Sequence, residues 1–212
     1  MNLIGYLGVD IQFARLRNED RQRGMTFINM YDLPYLDLSQ YQGIIITNYV
    51  DENFMVKHRS VLENYLNNGG VVFNFAEMTY SYLPNAPIWT RSPIAIKDRE
   101  FIIAKPEHEL FAGVNAYDLN YRKGVKGFLT RGQFNELPKE AEVLMHDQQM
   151  MPILYIDRNS TKGTIINGSG TDIYQMYRED DTTANRFASQ ILSFMKLEAQ
   201  RLEEAKGHEP RF

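Results

Sequence analysis

Four carboxylates, Asp10, Asp51, Glu77 and Asp172, stand at or just past apolar runs that read as strands. In an open α/β sheet, ligands bind outside the carboxyl ends of the strands. Such a crevice would also collect Asn48 and Ser169. Two chemistries fit this set. Glu77, in a partly apolar turn, could act as an acid or base. Alternatively Asp10, Asp51, Glu77 and Asp172 could hold a hard divalent cation through oxygen ligands. The plain alternative is that the three aspartates cap helices and turns, as Asp commonly does.

The histidines narrow the choice. His108 follows Pro106 and precedes an apolar turn, which makes it the best partner for Glu77 in an acid/base pair; a loop histidine bonding backbone is the bland alternative. His58 sits on a charged helix, His208 in the tail, and His146 beside Asp147 in a turn, where the two could form a base and its orienter. No two histidines have metal-ligand spacing. Gly168-Ser169-Gly170 could cradle an anion, but lacks the Gly-Lys-Ser/Thr ending of a P-loop, and Ser169 has no evident base. Tyr80, Tyr82 and Trp89 fall in one loop, Tyr174 and Tyr177 in another. Two aromatic loops on one rim suit a sugar or other flat ligand; otherwise they pack the middle of the chain onto the sheet.

Composition removes whole classes. Among 212 residues there is no cysteine, which excludes disulfides, thiolate metal sites and thiol nucleophiles. A net charge of -4 with no long basic run gives no electrostatic reason to expect nucleic acid. The short basic segment Arg122, Lys123, Lys126 and Arg131 reads as a solvated loop. No apolar stretch is long enough to span a bilayer, and the opening residues lack the basic and cleavage regions of a signal peptide. The cytoplasm is the expected location, with no membrane partner.

The elements that must position these residues follow from periodicity. Leu3 to Val9, Met25 to Met30, Gly43 to Tyr49 and Val71 to Phe75 are apolar on both faces, as central parallel strands are. Helical spacing predicts helices over 11–23, ended by Gly24, and from Asp51 to Asn68. Residues 79–150, with five prolines, predict a β-rich insertion or edge hairpins, with short strands at Ile94–Ile96, Phe101–Ala104, Gly127–Leu129 and Glu142–Met145. Pro152–Asp157 and Gly163–Asn167 read as two strands joined by a turn. Asp180 or Asp181 then caps a last helix with an apolar stripe through Ala184, Phe187, Ala188, Ile191, Leu192 and Met195.

The succession Leu38 to Thr47, then Tyr65-Leu66-Asn67-Asn68-Gly69-Gly70-Val71-Val72-Phe73, resembles the class I glutamine-amidotransferase-like superfamily. It is most similar to the cysteine-less, ThuA-like branch. Glu107 to Val114 resembles a "His-Pro-apolar-x-x-Gly" segment common there, with Glu109 replacing proline; Phe134 to Leu144 resembles the approach to a late strand. The resemblance implies a nucleophile at the turn after Val71 to Phe75 and a His-x-Glu pair after the late strand. Here those places hold Ala76-Glu77-Met78 and Gly168-Ser169-Gly170-Thr171-Asp172. Both halves of the machinery are missing, so glutamine hydrolysis by the usual route is excluded, and fold does not carry activity.

The expectation is a flavodoxin-like three-layer α/β sandwich with a mostly parallel central sheet. Residues 1–197 form one domain, with the β-rich insertion or edge region at 79–150 and a charged helical extension and tail at 198–212. Its function is a divergent, non-amidase one: binding a small polar ligand or a protein partner at the carboxyl-end crevice through Asp10, Asn48, Asp51, Tyr80, Ser169 and Asp172. The rivals are a carbohydrate-active enzyme using Glu77 with His108, and an assembly component that makes a homo-oligomer through its last helix. No cofactor is required; a divalent cation is the alternative.

Overall fold

The computed structural model describes residues 3–121 and 127–207. Strands β1 (Ile4–Gly8), β2 (Met25–Asn29), β3 (Gly43–Ile46) and β4 (Val71–Asn74) pair in parallel in the order β2-β1-β3-β4. The chain continues through β5 (Thr90–Arg91), β6 (Phe101–Ile103), β7 (Gly132–Gln133), β8 (Glu142–Asp147), β9 (Pro152–Asp157) and β10 (Thr164–Gly168). β10 lies parallel beside β4, and β9, β8 and β6 extend the sheet antiparallel to eight strands; β5 and β7 make a separate ribbon. This is a flavodoxin-like sandwich, whose chain reversal point falls between β1 and β3.

Side-chain alternation explains the two cores. Ile45, Val71 and Phe73 point to one face, and Ile44, Ile46 and Val72 to the other. The first face is covered by α5 (Ala116–Tyr121) and the long α6 (Thr183–Gly207). The second is covered by α3 (Glu52–Lys57) and α4 (Arg59–Asn67). The helix expected over 11–23 is two short ones, α1 (Asp10–Ala14) and α2 (Asn18–Gln22). The break comes where Leu16 turns into the core and extended Arg17 reaches the Arg178 carbonyl and Asn185 Oδ1.

In the middle of the chain, β6 and β8 pair antiparallel at the edge of the main sheet. Ile94–Ile96 is not a strand: the Arg99 guanidinium occupies the Ile94 carbonyl that a ladder would need. Gly127–Leu129 is a turn, with Gly127 at φ 74°. Arg122, Lys123, Lys126 and His208 lie outside the described residues.

The last helix is begun by Thr182, whose hydroxyl accepts from the Asn185 backbone N–H, and not by Asp180 or Asp181. Its apolar stripe is buried in the protein's own core, so it is not free for the oligomer contact imagined for it. Within the expected charged extension, Glu198 and Ala199 are buried. Among the described residues no helix is long and apolar enough to cross a membrane.

Candidate functional site

The parallel strands deliver polar residues to their carboxyl edge, where a network fills the space between β1 and β3. Gln12 is buried there. Its amide donates to Thr47 Oγ1 at 3.2 Å and to the Asn48 carbonyl, and its oxygen accepts from Val9 N–H at 3.1 Å. Gly8 makes this fit: a Cβ at that position would stand 2.6 Å from Gln12 Oε1 and overlap Thr47 Cγ2. The crevice at the reversal point is thus occupied by the chain's own side chain.

Asp172 lies beneath, fully buried. Its Oδ2 accepts from the Tyr6 and Thr47 hydroxyls, each at 2.5 Å, and its Oδ1 from the Tyr174 N–H at 2.8 Å. The Tyr6 oxygen in turn accepts from Gln175 Nε2 at 2.6 Å. Burial pushes the Asp172 carboxyl above its usual range, although its hydroxyl donors, the Tyr174 amide and Arg178 oppose the shift. Burial, then the Asp172 charge, pushes the Tyr6 phenol up, so it stays a donor. Asn48 completes the closure: Nδ2 donates to the Phe75 carbonyl at 2.8 Å and Oδ1 accepts from the Asp172 N–H.

A second network lies between β4 and β10. Asn74 Nδ2 donates to Asn167 Oδ1 at 2.9 Å, Tyr82 donates to Asn74 Oδ1 at 3.0 Å, and Asn167 Nδ2 donates to Tyr155 Oη at 3.1 Å. Trp89 Nε1 then covers the Ser169 carbonyl at 2.9 Å, a contact that Gly132 permits because a Cβ there would overlap the indole. Ser169 is buried and gives its hydroxyl to the Gly132 carbonyl at 2.7 Å. Every buried side chain in these two networks has partners within the protein, which is what a closed core requires.

The turn after β4 has no machinery for covalent catalysis. A nucleophile there needs a strained strand-to-helix turn with amide donors at the helix start. No helix follows β4 before residue 90, and Ala76 is buried outside the left-handed backbone region. Glu77 is about one third exposed and ion-paired to Arg131 Nη2 at 2.7 Å. A guanidinium does not relay protons at neutral pH. Arg131 also reaches Thr171 Oγ1 at 3.4 Å, so Glu77 helps tie the loops after β4 and β10.

The acid/base pair is not assembled. His108 begins a 3-10 turn, accepting at Nδ1 from the Leu110 N–H at 3.2 Å, with its ring against Phe194 of α6. Burial lowers its pKa, while its charged neighbours are Glu142, Glu109, Arg158 and Lys105. Glu142 opens β8, and Arg158 joins Glu198, which holds Thr164 Oγ1 at the start of β10. His108 therefore belongs to the opposite end of the sheet from Glu77.

The other expected residues scatter. Asp10 is exposed at the start of α1; Asp51 caps α3, accepting from Phe54 N–H at 3.0 Å. Glu52 accepts three donors from Thr79 and Tyr80, fixing the loop after β4. Among the described residues no three His, Asp or Glu side chains gather to hold a metal, which removes the cation site as drawn. His146 is in β8, with Nδ1 on the Asp147 carbonyl; the Asp147 carboxylate closes the following turn instead of orienting the imidazole. His58 lies between α3 and α4 with its ring 4.4 Å from that of Phe54. Of the aromatics, Tyr82 and Tyr174 are buried and Trp89 is half-buried, leaving Tyr80 and Tyr177 exposed.

Sequence reasoning missed Gln12, Thr47, Tyr6, Asn74 and Asn167. The signal for the last two was present: each is a polar residue ending an apolar strand, and they are register partners. A cavity of about 1130 Å³ lies elsewhere, at the amino ends of β3 and β4 between α4 and the end of α6.

Two solved structures share this arrangement of strands and helices. A Thermoplasma acidophilum protein provisionally assigned as a GMP synthase component superposes with a TM-score of 0.58, covering 96% of this chain and 98% of that one at 7% identity. The mmIFT52 N-terminal domain superposes with a TM-score of 0.54, covering 91% of this chain and 97% of that one at 10% identity. At these identities the likeness is one of fold. No protein-family model and no curated protein matches the sequence.

Proposed function

We propose that this chain is a catalytically divergent member of the glutamine-amidotransferase-like superfamily, without amidase activity, that works by binding a protein partner at the carboxyl edge of its sheet. The carrying observation is the edge itself. Where a nucleophile, base and substrate would sit, Gln12, Tyr82, Trp89 and Asp172 fill the space, bonded in turn to Thr47, Asn74, the Ser169 carbonyl and Tyr6. The absence of cysteine and the Glu107 to Val114 segment align it with the ThuA-like branch.

The test is direct. With glutamine at millimolar concentration and a coupled ammonia readout, turnover should not exceed that of buffer. Ammonia release that scales with enzyme and disappears in Glu77→Gln would end the reading.

A small polar ligand has a different place to bind. The cleft of about 1130 Å³ is lined by amides, among them Gln42, Asn64 and Gln200, and by Tyr41 and Tyr65. One amide atom of Gln42 is shut off from solvent without a partner among the described residues. Leu197→Trp, which fills the cleft from a partly exposed position, should abolish any saturable shift that a neutral sugar such as maltose produces in backbone NMR spectra. Shifts that survive the substitution would place the sugar elsewhere.

A further inference from the structure

Three arginines meet at the end of the short ribbon made by β5 and β7. The ladder pairs Arg91 with Gly132, and one step further the Ser92 N–H donates to the Arg131 carbonyl at 3.0 Å. Arg99, just past the 3-10 turn Ile96–Asp98, comes back to the same point. Its Nε donates to the Ile94 carbonyl at 2.6 Å and its Nη2 to the Ser92 carbonyl at 3.4 Å. The Trp89 indole and the Gly132 N–H both bond the Ser169 carbonyl, which fixes the ribbon to the loop after β10.

Arg99 is 6% exposed and makes no ion pair among the described residues. Burial, then the charges of Arg91 and Arg131, pushes its pKa down. A guanidinium taken out of water is ordinarily offset by an anion. Here its charged neighbours are two more guanidiniums, with Arg91 acting more strongly than Arg131.

The acids in these loops do not answer that charge. Glu77 is taken up by Arg131 at 2.7 Å. Glu100 is hydrogen-bonded to Tyr121 of α5. Asp98 is exposed beside exposed Lys97, and neither bears on Arg99. Arg91 is exposed, and its side chain has no partner among the described residues. Arg91 and Arg99 are thus left uncompensated. The Nε side of Arg99 is occupied by the two carbonyls, but its Nη1 has no partner among the described residues, and the whole Arg91 fork is free. Guanidinium forks pair with carboxylate or phosphate. A phosphate monoester, with three acceptor oxygens and a charge of about −2 at neutral pH, matches two uncompensated cations better than a carboxylate does.

We infer that Arg99 and Arg91, with Arg131 adding its charge, form a binding site for a phosphate monoester at the end of the β5–β7 ribbon. The inference goes beyond the partner-binding reading and holds whichever result the glutamine assay gives. A phosphorylated small molecule and a phosphorylated side chain carry the same group, and the titration tells them apart.

The full chain can be titrated at constant ionic strength with inorganic phosphate, acetate, glycerol phosphate and a glycine–phosphoserine–glycine peptide, following backbone NMR shifts. The expected result is saturable binding of phosphate with shifts at Arg91, Ser92 and Arg99, and acetate weaker by at least about tenfold. A gain with glycerol phosphate assigns the group to a small molecule, a gain with the peptide assigns it to a protein, and equal binding marks a site for the group alone. Arg91→Gln should weaken phosphate about tenfold while leaving the phosphate-free thermal midpoint unchanged or higher, because it removes a charge that repels Arg99. Arg99→Lys keeps the charge without the fork and should weaken phosphate at least about threefold. If Arg99→Lys does not fold, Arg91→Gln decides alone. Acetate as tight as phosphate, shifts spread over arginines and lysines elsewhere, full affinity or a lowered midpoint in Arg91→Gln, or no saturation would each overturn the inference.

Discussion

Asp20→Ala should destabilise the protein by about 3–5 kcal/mol, read as a lowered urea midpoint at unchanged slope. Asp20 and Arg178 form an ion pair whose side chains are 1% and 0% exposed. Arg178 also donates to Asn185 Oδ1 at 3.1 Å and lies 5.3 Å from the Tyr174 ring centre. Asp20 Oδ1 and Arg178 Nε have no partner among the described residues, so the pair is imperfectly compensated even when intact. Removing the carboxylate strands a guanidinium in the core, and that uncompensated charge is the source of the loss. The counterpart is equally sharp. The double variant Asp20→Leu with Arg178→Met should recover most of the loss, since an apolar pair of similar volume carries no desolvation cost. If the single and double variants are equally unstable, the pair is not what holds α2 to the loop before α6.

The second large effect concerns Asp172, and it has a pH signature. Asp172→Ala leaves the Thr47 hydroxyl and the Tyr174 N–H without their acceptor, at about 1–3 kcal/mol for each group stranded, while the Tyr6 hydroxyl keeps Thr47 Oγ1 at 2.9 Å. The sum should be a loss of at least about 2 kcal/mol. Asp172→Asn should cost much less, because both hydroxyls can turn to accept from the new amide. The carboxyl's folded pKa is raised above the ordinary value near 4. Between the two values the folded state binds more protons than the unfolded one, so stability falls as pH rises from the ordinary carboxylate range through the raised folded pKa. Wild-type stability should therefore carry a declining component across that window, and Asp172→Asn should lack it. A pH profile unchanged by Asp172→Asn would show that the carboxylate does not carry this linkage.

These two residues show where sequence reading succeeds and stops. Asp172 was legible as a residue at the end of a strand, yet its role depended on Tyr6, 166 positions away, and on Thr47. Asp20 and Arg178 were not legible as a pair: each sits among charges, and 158 positions separate them. Glu77 and His108 were plausible partners in one dimension, but the fold sends one to the carboxyl edge and the other beside Glu142 and Phe194 at the opposite end.

What the sequence determined by itself was local and periodic. Apolar runs without alternation dictated buried parallel strands, helical spacing dictated the covering helices, and the missing cysteine excluded thiol chemistry at every position. Together these settle the sandwich and which loops meet at its carboxyl edge. The tertiary structure alone decided that this edge is filled by Gln12, Tyr82 and Trp89, and that Tyr49, Tyr80 and Tyr177 face solvent. The reason is physical. Whether a tyrosine packs inward or stands out, and whether a carboxylate meets a base or a guanidinium, depends on contacts between residues far apart in the chain. Periodicity records only which face a residue takes, not what awaits it there.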